Sequence, residues 1–205
     1  MFRKEGMLIA IEGCIGAGKS TVAQGLSEYR KSSLLLERFE EHPFLKLFYE
    51  NPSETATETE VAFLLLHYSQ LRSLNTSSQR ETVTDFHLGK DLLYAELNLT
   101  DSRAQTAFLH LYEFFAEKVP SPTVLVYLSA STDLILERIH QRNREFEVVI
   151  DPAYYARVND AYDKLFRRYS GKKLSISMEE WDFVTRPSLY QELSALIDNQ
   201  LPSGK

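Results

Sequence analysis

The chain has 205 residues and a formal net charge of −6 at pH 7; 43% of its residues are hydrophobic and 25% are charged. This composition is typical of a folded globular protein, and the negative charge argues against nucleic acid as the main partner. The single cysteine, Cys14, excludes an intrachain disulfide framework, and no apolar run reaches the length of a bilayer span. We therefore expect one cytoplasmic domain over residues 1–205 that binds neither nucleic acid nor membrane.

Short apolar runs alternate with helical patterns along the chain. The runs predict strands, and the segments between them show the spacing of amphipathic helices. The predicted strands are 7–12, 33–37, 82–86, 123–128 and 173–178, and the predicted helices are 19–29, 41–74 with a break near 51–52, 90–97, 101–118, 133–141, 152–169 and 188–199. This alternation predicts an α/β fold with a five-stranded parallel sheet and helices on both faces.

A glycine-rich loop joins the first predicted strand to the first predicted helix. Its sequence, GCIGAGKS at 13–20, matches the phosphate-binding loop, or P-loop. The amide N–H groups and the following helix would hold phosphates, Lys19 would reach the terminal phosphates, and the Ser20 hydroxyl would ligate Mg²⁺. We therefore predict that the loop binds a nucleoside triphosphate, with ATP as the expected nucleotide. The residues of this predicted site are Gly13, Gly16, Ala17, Gly18, Lys19, Ser20 and Thr21.

Three arginines lie close together near residue 140. Arg138 and Arg142 are four residues apart and share one helix face, and Arg144 follows where the helix should give way to a loop. Their guanidiniums can stabilise charge on a phosphoryl group during transfer, although a basic helix end that only complements the helix dipole has the same pattern. Beside a P-loop, and without the Asn/Thr-Lys-x-Asp segment of a GTPase, the pattern favours a compact kinase with an arginine-rich lid at about 138–150.

The chain resembles the deoxynucleoside kinase family over almost its whole length, and within it the bacterial deoxyadenosine and deoxyguanosine kinase branch. The motifs that carry the resemblance are the P-loop, LERFEEHPFL at 36–45, YENP at 49–52, the segment 138–147 and WDF at 181–183. The resemblance implies a P-loop kinase fold, and phosphorylation of a deoxyribonucleoside 5′-hydroxyl with ATP and Mg²⁺. It also implies a homodimer, while a set of aromatic residues fits either the core or that interface: Phe108, Tyr112, Phe114 and Phe115.

The resemblance assigns catalytic roles to two carboxylates. Glu37, at the end of the second predicted strand, corresponds to the general base that accepts the proton of the 5′-hydroxyl. Glu41 is the reserve candidate in the same acidic stretch. Asp85, at the end of the third predicted strand, keeps a carboxylate that would hold Mg²⁺ directly or through water.

The resemblance also assigns binding roles. Tyr49 and Glu147 correspond to a pair that hydrogen-bonds the sugar 3′-hydroxyl, although a tyrosine in such a helix is more often a packing residue. Asp182 and Phe183 correspond to the loop that contacts the adenine of ATP. An ordinary turn would have the same sequence, so both interpretations stay open.

The end of the third predicted strand departs from the family pattern. Most members have Glu/Asp-Arg-Ser/Thr there, whereas this chain has TDFH at 84–87, with Phe86 in place of the arginine. Lys90, one helical turn later, either substitutes for that arginine or is a surface lysine. The missing arginine also leaves open a non-catalytic nucleotide-binding protein.

The position that reads the nucleobase departs as well. Where the family has glutamine this chain has Glu60, and an ionised glutamate offers only acceptors, which match the two adjacent donors of guanine. Asp91 falls at another base-contacting position and is also an acceptor. We therefore expect a purine, with guanine ahead, provided that the alignment is not shifted onto Glu58.

The remaining interpretations concern the acceptor, a metal site and the single cysteine. A nucleoside monophosphate kinase of thymidylate kinase type would need an arginine where Phe86 stands, and the five histidines show no metal-ligand spacing. Cys14 lies near a helix N-terminus that would lower the pKa of its thiol, so that thiol modification would block ATP.

Overall fold

The computed structural model describes residues 6–76, 78–144 and 151–201. Its sheet has five parallel strands in the order β2-β3-β1-β4-β5. The strands are β1 Met7–Glu12, β2 Ser33–Leu35, β3 Glu81–Thr84, β4 Val124–Ser129 and β5 Lys173–Ser177. The helices are α1 Lys19–Arg30, α2 Leu45–Glu50, α3 Pro52–Arg72, α4 Gly89–Asn98, α5 Ser102–Ala116, α6 Thr132–Arg142, α7 Pro152–Arg168 and α8 Leu189–Gln200.

Helices cover both faces of the sheet, which explains why most residues of the central strands β1 and β4 are apolar and buried. On one face, α1 and α8 pack on β1, β3 and β4 through residues such as Leu26 and Leu193. On the other face, Tyr127 of β4 packs among α4, α6 and α7. A third apolar cluster joins α3, α4 and α5 and contains Phe86, Phe108 and Phe115. The predicted α/β fold with helices on both faces is confirmed.

The second and third strands end earlier than predicted. The last residue pair between them joins Leu35 to Thr84, so neither Glu37 nor Asp85 belongs to a strand. Beyond that pair, the Glu37 N–H donates to Asp85 Oδ1 at 2.8 Å, which replaces the next ladder hydrogen bond. Both carboxylates therefore lie in loops at the carboxyl edge of the sheet, where ligands of such folds bind.

The predicted break near 51–52 is confirmed. Residues 39–41 form a short 3₁₀ turn, α2 ends at Glu50, and α3 begins with Pro52 at its first position, which suits a residue without an N–H. The break brings the residues of α2 and α3 to the edge of the sheet near Glu37. Within the described ranges, none of the helices combines the length and apolarity needed to cross a bilayer.

Candidate active site

The P-loop connects β1 to α1, as predicted. Gly18, which precedes the helix, has φ +97°, a left-handed conformation that favours glycine. A Cβ atom on Gly13 would lie 2.7 Å from the Leu128 carbonyl oxygen, so the loop has no room for a side chain there. Lys19 Nζ donates to the carbonyl oxygens of Gly13 at 2.8 Å and Cys14 at 3.1 Å. The loop is thus shaped by its backbone, with its lysine folded across it.

Two cavities meet at this loop. The larger measures about 470 Å³ and the second about 420 Å³. Both are lined by Gly16, Gly18, Thr21 and Arg142. A phosphate chain bound to the loop would therefore lie where the two cavities meet.

The larger cavity contains most of the residues predicted to act on the acceptor. They come from several elements that are distant in sequence and meet only in the fold. They are Glu37, Tyr49, Glu60, Asp85, Lys90 and Asp91. Glu147, predicted to contact the sugar, lies outside the described residues, as does the predicted lid from 145 to 150.

Ser20 and Asp85, the two predicted Mg²⁺ ligands, lie side by side. The Ser20 hydroxyl donates to Asp85 Oδ2 at 2.5 Å. A hydroxyl and a carboxylate next to a P-loop fit Mg²⁺, because this ion takes one or two protein oxygens and fills its shell with phosphate oxygens and water. Among the described residues, no group of three or more metal-ligating side chains is found, so such an ion would need those other ligands.

Glu37 is held between two basic side chains. Lys90 Nζ donates to Glu37 Oε2 at 2.6 Å, and His67 Nε2 lies 3.0 Å from Glu37 Oε1. Lys90 is 5% exposed, so its interpretation as a surface lysine is wrong. Burial alone would raise the pKa of Glu37, but the charge of Lys90 and the hydrogen bond from His67 outweigh it and hold that pKa well below its usual range. Glu37 is therefore ionised at neutral pH.

The same histidine reaches a second carboxylate. His67 Nδ1 lies 2.7 Å from Asp91 Oδ1, and His67 is fully buried. Burial alone would lower the pKa of His67, but the charges and hydrogen bonds of Asp91 and Glu37 outweigh it and raise that pKa to about 9. We call Glu37, His67, Lys90 and Asp91 the Glu37 cluster.

The main chain around Glu37 is fixed by a glutamine of α3. Gln70 Nε2 donates to the Leu36 carbonyl oxygen at 2.8 Å, and Gln70 Oε1 accepts from the Arg38 N–H at 3.2 Å. These two hydrogen bonds fix the main chain of the residues directly before and after Glu37. They substitute for sheet pairing where β2 has ended.

Glu60 differs from its predicted state. Asn98 Nδ2 donates to Glu60 Oε1 at 2.8 Å, and Glu60 is 3% exposed. Burial raises the pKa of Glu60 to about 8, although the hydrogen bond from Asn98 opposes the shift. At neutral pH the Glu60 carboxyl is mostly protonated and can donate as well as accept, so the premise that it offers only acceptors is wrong.

The three predicted lid arginines are not equivalent. Arg138 and Arg142 both line the second cavity, as their spacing predicts, and Arg138 donates to the Ala17 carbonyl oxygen at 3.1 Å. Arg142 and Arg144 line the larger cavity, where the Arg144 guanidinium lies 4.4 Å from the centre of the Phe39 ring. Arg142 thus stands at the junction of the two cavities. The roles of all three in transfer stay predictions.

Asp182 and Phe183 also line the second cavity, next to the P-loop. Asp182 Oδ1 accepts from the Val184 N–H at 3.0 Å, so this segment is a turn as well as a cavity wall. Phe183 is buried against Trp181 and Tyr190. Their contact with adenine stays a prediction.

Other sequence alternatives can be compared with the structure. Glu41 is exposed, pairs with Arg38 at 3.6 Å and lines neither cavity, whereas Glu37 lines the larger one. Cys14 is fully buried, and burial raises the pKa of its thiol to about 12. The expected lowering of that pKa by the helix N-terminus is therefore wrong, and the thiol is poorly placed for modification.

Three residues of this site were not predicted from the sequence: His67, Gln70 and Asn98. A signal for the first two exists, because Glu60 and His67 are two helical turns apart and Gln70 is one turn further. Three polar residues on the same helix face as the apolar Leu64 and Leu71 indicate a buried polar site. Asn98, at the end of α4, has no such local signal.

Comparison with known proteins agrees with this geometry. The family model for deoxynucleoside kinase matches residues 9–202. The chain is 29% identical to the deoxyguanosine kinase of Bacillus subtilis, with 91% of this chain and 94% of the relative covered. It is 30% identical to the deoxyadenosine kinase of Lactobacillus acidophilus, with 95% and 96% covered.

The fold matches solved structures as well. A deoxyadenosine kinase of M. mycoides, solved with dCMP and a flexible dCDP bound, superimposes with a TM-score of 0.82 at 24% identity, covering 95% of this chain and 100% of the other. The match supports the P-loop kinase fold. Fold, P-loop and family model all agree: the chain belongs to the deoxynucleoside kinase family, whose members are transferases that phosphorylate a nucleoside hydroxyl.

Proposed function

We propose that this protein transfers the terminal phosphoryl group of ATP to the 5′-hydroxyl of a purine deoxyribonucleoside and so forms the 5′-monophosphate in nucleoside salvage. The observation that carries the proposal is the position of Glu37. It lines the larger cavity beside the P-loop, where a hydroxyl bound in that cavity would meet a phosphate bound to the loop. The relatives named deoxyguanosine and deoxyadenosine kinase support a purine acceptor.

The donor occupies the P-loop side of the site. The loop amides and Lys19 bind the phosphates, and Asp182 and Phe183 border the space for the adenine. Ser20 and Asp85 would hold Mg²⁺, which when bound neutralises charge on the phosphate oxygens. Arg138, Arg142 and Arg144 stabilise the transferred group from the opposite side.

The acceptor is activated by Glu37. Its carboxylate accepts the proton of the 5′-hydroxyl while O5′ bonds to the γ-phosphorus, and the bond from that phosphorus to the bridging oxygen breaks to release ADP. Because the transition state of phosphoryl transfer is loose, orientation of the hydroxyl matters more than a strong base. The low pKa of Glu37 therefore suits the reaction, since it keeps the carboxylate ionised and in place.

The far end of the larger cavity reads the nucleobase. Asp91 Oδ2 is buried without a hydrogen-bond partner in the described part of the chain, so it suits a donor such as a purine N–H. Glu60, protonated at neutral pH, adds a donor and an acceptor. Adenine and guanine both match these donors and acceptors, so Glu60 does not support the expected preference for guanine over adenine. Tyr49 lines the wall between the base and the loop and contacts the sugar.

The monophosphate kinase alternative is less well supported. The site of the required arginine holds the buried side chain of Phe86. Among the cations that line the acceptor cavity, Lys90 is paired with Glu37, and we assign Arg142 and Arg144 to the transferred group. The non-catalytic alternative was suggested by the missing arginine at position 86. It is less well supported because Lys90 places a positive charge beside Glu37.

The test is transfer of labelled phosphate from ATP to each of the four deoxynucleosides and their monophosphates. We expect turnover with deoxyadenosine or deoxyguanosine and none with monophosphates. Glu37→Gln should lower kcat about 10³-fold while ATP binding stays intact, since removal of a general base typically costs that much. Glu41→Gln, the same change at the exposed neighbouring glutamate, is the matched control and should keep normal turnover. Near-normal turnover in Glu37→Gln would contradict the role, and inactivity toward every acceptor would favour the binding protein.

The homodimer is also a proposal. Phe108 and Phe115 belong to the core, whereas Phe114 is 57% exposed, and Leu109 and Leu65 on the same pair of helices are exposed as well. Exposed apolar side chains on α3 and α5 fit a helix-to-helix interface. Light scattering on the purified protein should show twice the chain mass, and a monomer with wild-type activity would contradict the dimer.

A further inference from the structure

The position of His67 allows only one protonation state that satisfies its neighbours. Its two ring nitrogens lie 2.7 Å from Asp91 Oδ1 and 3.0 Å from Glu37 Oε1. An ionised carboxylate can only accept, so each ring nitrogen must carry a hydrogen, and the ring is an imidazolium. A neutral ring would place a nitrogen lone pair against an oxygen lone pair at one of these contacts.

Two aromatic rings pack against this imidazolium. The ring of Phe63 lies 5.6 Å from the His67 ring at 29°, and the ring of Phe86 lies 4.9 Å away at 33°. Both are close enough for a cation to interact favourably with an aromatic face. Phe86 is fully buried, so its contact with His67 has no competition from water.

Building on the proposed function, we propose that His67 is a positioning residue that, as a cation at neutral pH, ties Glu37 at the 5′-hydroxyl to Asp91 at the base. With Lys90 it supplies the positive charge that is missing at Phe86. The Phe86 ring belongs to the same arrangement. It has no charge of its own, but it packs against the charged ring of His67, which lies on α3.

Titratable groups from several elements surround His67. Glu37 follows β2, Asp91 and Lys90 belong to α4, Glu60 lies on α3, and His42 precedes α2. The nearest are the two carboxylates, and they keep the ring charged because they outweigh burial. The pKa of His67, raised to about 9, puts the loss of this charge between neutral and alkaline pH, where activity can be followed.

The test compares kcat between pH 6.5 and 10 in the wild type and two variants. In the wild type, kcat should fall about tenfold per pH unit above about pH 9, as for loss of one essential proton. His67→Arg keeps a charge throughout, and its longer side chain can extend into the cavity, so it should retain turnover without that fall. His67→Gln should lose about 10²-fold in kcat at pH 7.5 with the KM for ATP unchanged.

Lys164→Met, which removes a cation from the exposed side of α7, should behave as the wild type, including the alkaline fall. An alkaline fall that persists in His67→Arg, or a His67→Gln variant with normal kcat, would overturn the proposal. A merely structural histidine would lower the amount of folded enzyme without moving the pH profile.

A measurement on the wild type separates this proposal from the proposed function and does not depend on any variant folding. Nitrogen-15 NMR of the histidine side chains at pH 7.5 should show hydrogens on both ring nitrogens of His67, whichever substrate the enzyme uses. A neutral His67 ring would overturn the inference even if deoxynucleosides are phosphorylated. A charged ring in a protein that phosphorylates no deoxynucleoside would instead overturn the proposed function.

Discussion

The P-loop and the Glu37 cluster meet near Asp85 but are held together by different interactions. The P-loop is a run of consecutive residues, and its shape depends on backbone conformation and on glycines that leave no room for a Cβ. The Glu37 cluster draws its side chains from the loop after β2, from α3 and from α4. Its members are fixed by charge, in a place that water reaches poorly. A backbone site tolerates changes of nearby side chains, whereas a buried ionic cluster fails when one member leaves its partner uncompensated.

Removing Lys90 should have the largest effect, and it tests most directly whether the P-loop and the Glu37 cluster are independent. Lys90→Met leaves the buried Glu37 carboxylate with one cation, which should cost about 3 kcal/mol of stability and lower kcat about 10³-fold. ATP should still bind, because the P-loop is built locally. Denaturant unfolding, steady-state kinetics and ATP titration measure the three effects, with Lys164→Met on the exposed side of α7 as control. Loss of ATP binding in Lys90→Met would show that the two regions are not independent.

Removing the side-chain amide of Gln70 should have a smaller effect. Gln70→Leu leaves the Leu36 carbonyl and the Arg38 N–H unpaired and loosens the main chain around Glu37. We expect about a tenfold lower kcat, equivalent to about 1.4 kcal/mol, with little change in the KM for ATP. Gln24→Leu, on the exposed side of α1, serves as control. Unchanged kcat in Gln70→Leu would mean that the charges alone position Glu37.

Replacing Glu60 should have the smallest effect on rate and a distinctive dependence on pH. In the wild type, the ratio of kcat/KM for deoxyguanosine to that for deoxyadenosine should rise a few-fold between pH 6.5 and 8.5. The pKa of Glu60 is about 8, and its ionised form matches the two donors of guanine. Glu60→Gln should show a flat ratio. A flat ratio in the wild type would contradict the titration of Glu60 or its contact with the base.

The same substitution tests the burial of Glu60 without substrate. The pKa of Glu60 is higher in the folded chain than the ordinary value of 4.5, so the folded state binds the extra proton and wild-type stability falls as pH rises from about 4.5 to about 8. Glu60→Gln lacks this loss. The melting temperature of Glu60→Gln should therefore rise relative to that of the wild type by about 10 °C between pH 5 and pH 8, and an equal difference at both pH values would contradict the raised pKa.

The fold and the donor side could be predicted because their signals are local. The alternation of strands and helices follows from apolar spacing, and the P-loop is a contiguous motif whose glycines and lysine act where they stand in the chain. The errors were small and came from tertiary contacts. The second and third strands end two residues early, because Asp85 takes the Glu37 N–H that the ladder would have used.

The acceptor side could be predicted only in part. Glu37, Asp91 and Lys90 were identified as candidates, but the sequence left open whether Lys90 is buried or exposed. His67 and Asn98 gave no signal that could be assigned to a role, because their partners lie 24 to 38 residues away in the chain. The ionisation of Glu60 was predicted wrongly, since burial raises its pKa and outweighs the hydrogen bond from Asn98.

The sequence by itself determined that this protein has a P-loop, an α/β fold and three arginines close together near residue 140. Each of these depends on residues close together in the chain. Only the tertiary structure decided which side chains surround Glu37 and which of them carry charge. Ionisation depends on burial and on neighbours brought together by folding, and no pattern along the chain records either one.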